Sequence, residues 1–174
     1  SSARIQVFDE NGKFLDQFGT GGPSTPQMLY GSADKHLWVA DNSTSKIVKY
    51  DMNGRYLYSW GSGGQWPGAM WNVHGMSVDQ EGNLYIADTG NHRSRRVDPM
   101  GIITTFAGTG MEAFAGDDES AKDASLAQPR GVAVDRGGNV YIADTENDRI
   151  RRVDAKGVIT TVAGSGTPGF SGDG

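Results

Sequence analysis

The sequence contains no cysteine, which excludes disulfide bonds, thiolate metal sites and a cysteine nucleophile. Proline is scarce, with 6 in 174 residues, so a proline-rich low-complexity chain is excluded as well. No run approaches the roughly 20 apolar residues that a membrane-spanning helix needs, and residues 1–4 carry no apolar signal-peptide core. We therefore predict no membrane association. Localisation stays open, because a mature secreted or periplasmic form has lost its leader.

Positive charge is in deficit, since 16 Lys and Arg face 21 Asp and Glu and leave a formal net charge of −5. This balance argues against a general nucleic-acid binder, whose affinity depends on a basic surface. Glycine, by contrast, is abundant at 26 residues, about twice its usual share of roughly 7%. The hydrophobic share of 36% is enough to build a packed core, so global disorder is not expected.

An internal repeat organises the chain. A Leu/Val–aromatic–Val/Ile–Ala–Asp motif occurs at residues 37–41, 84–88 and 140–144, and its aspartates lie 47 and 56 residues apart. A second motif, basic at its start and ending in Asp, follows each copy at residues 46–51, 93–98 and 149–154, and a fourth copy opens the chain at residues 4–9. A glycine turn and another apolar run follow every copy of the second motif.

Each repeat therefore contains four short runs rich in Val, Ile, Tyr and Thr, separated by Gly, Asn and Asp. This pattern predicts four antiparallel strands, and a four-stranded unit of about 40–50 residues is typical of a β-propeller blade. The predicted fold class is all-β, with one partial propeller over residues 1–174. Its predicted parts are a half blade at 4–18, blades at 26–61, 67–108 and 126–164, and a tail at 165–174.

The motif order resembles the NHL-repeat β-propeller family. Residues 129–135, 138–144 and 147–154 together resemble one full NHL repeat. The resemblance implies a closed ring of about six blades, whereas this chain supplies about three and a half. The two halves differ in style, which indicates a chimeric or excised fragment; ordinary drift between blades is the alternative. Because unpaired sheet edges are avoided, we expect a homodimer that closes a ring of about six or seven blades head to tail.

Three residues precede a glycine at the predicted start of the first strand of each blade, and we expect them to line the central channel: Tyr30, His74 and Arg130. His74 also resembles a zinc-binding histidine of the peptidyl-α-hydroxyglycine amidating lyase family, in which tyrosine and arginine residues lie near the zinc. That family uses three such histidines from one chain, and this sequence has one at that position. The resemblance implies a shared Zn²⁺ between two His74 side chains, with water or a carboxylate completing the ligands.

Further residues are candidates for the channel mouth. We predict that Trp71, Asn72 and His92 contact a small-molecule substrate, that Tyr30 transfers a proton, and that Arg130 stabilises negative charge. The acidic stretch at residues 117–119 is expected to form a flexible acidic loop. Ca²⁺ binding is the alternative, because Gly-Asp loops are typical of calcium sites, although EF-hand spacing is absent. The recurring aspartates are expected to accept hydrogen bonds in turns. The repeated arginines are expected to pair with these aspartates between neighbouring blades rather than to bind RNA.

These features predict a metal-assisted hydrolase acting on an ester, lactone or phosphoester, a phosphotriester included, in the channel of the homodimer. A lyase is a narrower version of this prediction. The alternative is a non-catalytic NHL module that binds a protein or another ligand, because one fold hosts many functions. RNA binding is the third hypothesis.

Overall fold

The computed structural model describes residues 5–18, 25–32, 35–64 and 69–169. These residues form fifteen strands and two short 3₁₀ helices, at Thr89–Asn91 and Thr145–Asn147. The strands are β1 (Ile5–Phe8), β2 (Phe14–Phe18), β3 (Pro26–Ser32), β4 (His36–Asp41), β5 (Lys46–Asp51), β6 (Tyr56–Trp60), β7 (Val73–Val78), β8 (Leu84–Asp88), β9 (Arg93–Val97), β10 (Ile103–Ala107), β11 (Glu119–Ser120), β12 (Gly131–Val134), β13 (Val140–Asp144), β14 (Arg149–Val153) and β15 (Val158–Ala163). No helix within these ranges is long and apolar enough to cross a membrane.

The strands form the sheets that the repeat predicts. A two-stranded sheet, β1-β2, is followed by the first sheet, β3-β4-β5-β6, and by the second sheet, β7-β8-β9-β10. The third sheet has the order β12-β13-β14-β15 with β11 added outside β15. The chain is thus all-β, and its four-stranded antiparallel units have the strand pattern of propeller blades, about three and a half in number.

The chain divides into two compact units, Ser1–His74 and Gly75–Gly174. In the first unit Val39, Val48 and Tyr50 form a buried cluster on which Ile5 and Phe18 of the two-stranded sheet pack. The rings of Phe18 and Tyr50 lie 5.5 Å apart between centroids. The half blade is therefore attached to the first full sheet by aromatic and aliphatic contact.

In the second unit the main core lies between the second and third sheets. It joins Tyr85 and Ala107 to residues such as Ile142 and Val153 of the third sheet, with Leu126 of the connecting link between them. The link at residues 108–130 joins the second sheet to the third and is longer than a turn. Its Asp118 N–H donates to the carbonyl of Ile159 at 2.8 Å, and β11 pairs with β15. The expected flexible acidic loop is wrong, because the link adds an edge strand to the third sheet.

Aspartates close the turns between strands, as the sequence predicts. In the turn between β12 and β13 the Asp135 carboxylate accepts bonds from the N–H groups of Gly137 and Asn139, the side-chain amide of Asn139 and the hydroxyl of Tyr141. Asp79 has the same set of bonds in the second sheet. The aspartates before the last strand of each sheet also bind the main chain. Each of them accepts two main-chain N–H groups: Asp9, Asp51, Asp98 and Asp154.

Candidate functional site

The strand registers place Tyr30 away from the position predicted for it. Tyr30 pairs with Trp38 in the first sheet, whereas Ala133 pairs with the corresponding Tyr141 in the third. Tyr30 therefore corresponds to Ala133, three positions beyond Arg130. The sequence comparison aligned the glycine after Tyr30 with Gly131. In the structure it is Met28 that occupies the position equivalent to Gly131. A hydrogen bond from the Trp38 indole to Ser32 confirms this alignment, since Tyr141 bonds Asp135 in the same way.

His74 and Arg130 do occupy equivalent repeat positions, each directly before the glycine of its first strand. His74 is the last residue of the first unit and is partly buried. In the second unit the Arg130 guanidinium lies 3.5 Å from the Glu146 carboxylate, and both side chains are about half exposed. The Gly75 N–H donates to the Arg130 carbonyl at 2.9 Å, so the main chain of Arg130 joins the first strands of two neighbouring sheets.

His92 has a structural contact that the sequence did not indicate. It follows the 3₁₀ helix Thr89–Asn91 with a left-handed φ of 51°. Its Nδ1 accepts the N–H of Gln128 at 3.3 Å, and its Nε2 lies 3.9 Å from a Glu112 oxygen. The ring is thereby positioned between the second sheet and the link, and acts as an acceptor for the main chain that enters the third sheet.

The same arrangement occurs in the first unit around Asn72. Asn72 has a φ of 54°, and its N–H donates to Ser45 Oγ at 3.3 Å. Ser45, like His92, has a left-handed φ, and Gln128 matches Asn72 with a φ of 45°. The main chain of Asn72 therefore has a structural role at the end of the first sheet.

Trp71 forms one wall of a cleft in the first unit. Its side chain is 49% exposed. The cleft encloses about 410 Å³, and its other lining residues are Asn42, Ser43, Ser45, Gly63 and Gly64. None of these residues carries a formal charge. The sequence analysis singled out Trp71 but missed the asparagine, serines and glycines, although the glycine-rich stretch at residues 61–64 was a visible signal.

No cluster of three histidine, aspartate or glutamate side chains within the described ranges has the arrangement of a metal site. Asp117, one of the proposed calcium ligands, instead pairs with Arg151 at 2.9 Å. The predicted Zn²⁺ depends on His74 side chains from two copies of the chain. Both metals therefore stay predictions.

Arg151 is the centre of a buried ion-pair network in the third sheet. The side chain is completely buried and pairs with Asp144 at 3.2 Å as well as with Asp117. It also donates to the Ala115 carbonyl at 3.2 Å. Burial raises the pKa of Asp144, although Asn147, the Ala127 N–H and Arg151 all act in the opposite direction. The repeat predicted pairing of the arginines with recurring aspartates between blades, whereas Arg151 and Asp144 lie on adjacent strands of one sheet.

Comparison with known proteins identifies the class. The NHL repeat family profile matches residues 70–93, and the Teneurin NHL domain profile matches residues 110–169. The chain is 36% identical over 106 residues to NHL repeat-containing protein 2 of Gallus gallus, covering 57% of this chain and 14% of that protein. It is 37% identical over 99 residues to Teneurin-3 of Danio rerio, covering 48% of this chain and 4% of that protein.

A solved structure has the same fold. The streptogramin B lyase structure superposes with a TM-score of 0.68 and 15% identity over 91% of this chain and 47% of that one. At this identity the likeness shows the fold alone. Residues 70–93 and 110–169 thus match NHL sequences, in agreement with the NHL-repeat β-propeller resemblance of the whole chain. The chain spans a small part of the length of the curated relatives named above.

Proposed function

We propose that this NHL module is a non-catalytic binding module whose ligand occupies the Trp71 cleft of the first unit. The observation that carries the proposal is the half-exposed indole of Trp71 beside hydroxyl and amide side chains. Binding sites are typically concave, with an aromatic surface and a few polar groups that orient the ligand. The volume of about 410 Å³ is in the usual range for such sites.

The chemistry of the cleft favours an uncharged peptide segment. Because the lining residues carry no formal charge, a charged group would lose its hydration without gaining an ionic partner. An apolar peptide side chain would pack on the Trp71 ring, and the Asn42 amide would orient the peptide main chain. The metal-assisted hydrolase of the sequence analysis is supported only by His74 and its family resemblance, and no described contact adds to it.

A peptide selection tests this proposal. A library of uncharged octapeptides is selected against the whole chain, and the affinities of the selected peptides are measured by fluorescence polarisation. We expect Trp71→Ala to weaken binding about tenfold or more, because interface aromatics often contribute most of the affinity. Trp71→Phe should keep part of the binding, and Met111→Ala, which removes an exposed apolar side chain of the second unit, should leave it unchanged.

Two results would contradict the proposal. Equal affinity for the Trp71→Ala variant would show that the peptides bind elsewhere. Zinc-dependent hydrolysis of an ester or phosphoester panel that is lost in His74→Ala would establish the hydrolase instead. Circular dichroism of each variant separates lost binding from lost folding.

A further inference from the structure

The second unit contains two copies of one surface, which we call the first and second link sites. The first link site consists of Thr89, His92, Gly108 and Thr109, and the second of Thr145, Asp148, Gly164 and Ser165. Each residue of the second site lies 56 positions after its counterpart. Both sites have the same backbone, because His92 and Asp148 end matching 3₁₀ helices with φ values of 51° and 48°.

Arginine side chains hold the two sites in the same way. Arg93 donates to the carbonyls of Asn91 and Thr109 at the first site. Arg149 donates to the corresponding carbonyls of Asn147 and Ser165 at 3.0 and 3.1 Å. The two surfaces are therefore equivalent in main-chain geometry and in the side chains that support it.

The first link site binds the link through four hydrogen bonds. Gly108 and Thr109 donate their N–H groups to the carbonyls of Ala121 and Ala124, both at 2.8 Å. His92 Nδ1 accepts the N–H of Gln128, and the Thr89 hydroxyl donates to the Pro129 carbonyl at 2.6 Å. The segment at residues 121–129 crosses this surface in a series of turns and bends before it enters the third sheet. It offers two main-chain acceptors, then a donor, then a further acceptor.

The second link site presents the same groups around a cavity. All four of its residues line a space of about 380 Å³, together with Arg149 and Ile150 among others. Within the described ranges the Asp148 carboxylate has no hydrogen-bond or ion-pair partner, and the Thr145 hydroxyl donates to the Ala143 carbonyl of its own strand. A carboxylate accepts a main-chain N–H more strongly than a neutral imidazole does.

We propose that the second link site binds an NHL link segment that has the bent backbone and the donor and acceptor pattern of residues 121–129. The Asp148 carboxylate accepts the main-chain N–H that corresponds to the one bound by His92 at the first site. The Thr145 hydroxyl donates to the carbonyl that corresponds to the one bound by Thr89. Gly164 and Ser165 donate to the two earlier carbonyls. This interaction does not depend on the Trp71 cleft.

A labelled peptide with the sequence of residues 119–133 tests the proposal by fluorescence polarisation with the whole chain. We expect saturable 1:1 binding that Asp148→Lys weakens about tenfold or more, which is the loss of a charge-assisted hydrogen bond. Asp148→His and Asp148→Ser should retain binding, because these are the acceptors used at His92 and Ser45. Glu81→Lys is the control for the same change of charge at another exposed carboxylate.

A second peptide tests the hydrogen bond itself. Methylation of the main-chain nitrogen at the Gln128 position removes the donor and should weaken binding to a similar extent. The proposal is overturned if no saturable binding occurs, if Asp148→Lys binds as the unaltered chain does, or if binding depends on His92 and not on Asp148. The last result would mean that the peptide displaces the chain's own link.

Discussion

At the residue scale, side chains that look functional in the sequence mostly serve the main chain. His92 and Ser45 accept N–H groups at the ends of sheets. Ser94 stands where other repeats have isoleucine, so a polar group occupies an apolar position. It is completely buried, but its hydroxyl donates to the Ile86 carbonyl at 3.2 Å, so the polar group has a partner. A buried hydroxyl with such a bond costs much less than an unpaired one.

The turn aspartates make stability sensitive to acid. Hydrogen bonds from the Asn139 side chain and N–H, together with those from Gly137 and Tyr141, lower the pKa of Asp135 below its usual 3.8. A lowered pKa in the folded state means that the unfolded chain binds protons first as pH falls. The contribution of Asp135 is thus fully present above about pH 4 and is lost below it.

We predict that Asp135→Asn lowers the free energy of unfolding at pH 7, because the charged acceptor is lost. The difference from the unaltered chain should shrink as the pH falls below about 4, since the unaltered Asp135 is then protonated as well. Urea unfolding at pH 7, 5 and 3 measures this. Asp123→Asn, at an exposed link carboxylate, is the control, and a difference that grows in acid would refute the assignment.

At the element scale, close approach of the first strands joins the second sheet to the third. Gly75 donates to the Arg130 carbonyl, and a Cβ at Gly75 would lie 2.7 Å from that oxygen and 2.8 Å from the Gly131 Cα. Gly131 occupies the equivalent position in the third sheet. There a Cβ would meet only the Ala143 Cβ at 3.2 Å. The two glycines are thus a matched pair with different surroundings.

We predict that Gly75→Ala destabilises the chain by about 1–3 kcal/mol more than Gly131→Ala does, because overpacking forces the two main chains apart. Chemical denaturation of both variants measures the difference. Equal losses would mean that the contact between the first strands adjusts without cost.

At the scale of the whole molecule, the sequence predicts that two chains close one ring and share one metal ion. The homodimer was predicted because unpaired sheet edges are unfavourable. The shared zinc was predicted from His74. Both predictions concern two copies of the chain, so one measurement on one sample addresses both.

We predict a dimer with about one Zn²⁺ per two chains, since each copy would contribute one His74 imidazole and imidazole is a common zinc ligand. Light scattering with elemental analysis measures mass and metal together, and His74→Ala is the control for the metal. A metal-free monomer would contradict both predictions. A metal-free dimer would support ring closure and contradict the shared zinc.

The sequence by itself determined the repeat, the four-stranded unit, the NHL resemblance and the roles of the turn aspartates. These properties are local, because strand periodicity and Asp–Gly turns depend on neighbouring residues. Only the tertiary structure decided the register of Tyr30, the added strand Glu119–Ser120 and the contact of His92 with Gln128. Each of these depends on which main-chain groups distant in the sequence pair with one another, and neighbouring residues do not determine that pairing.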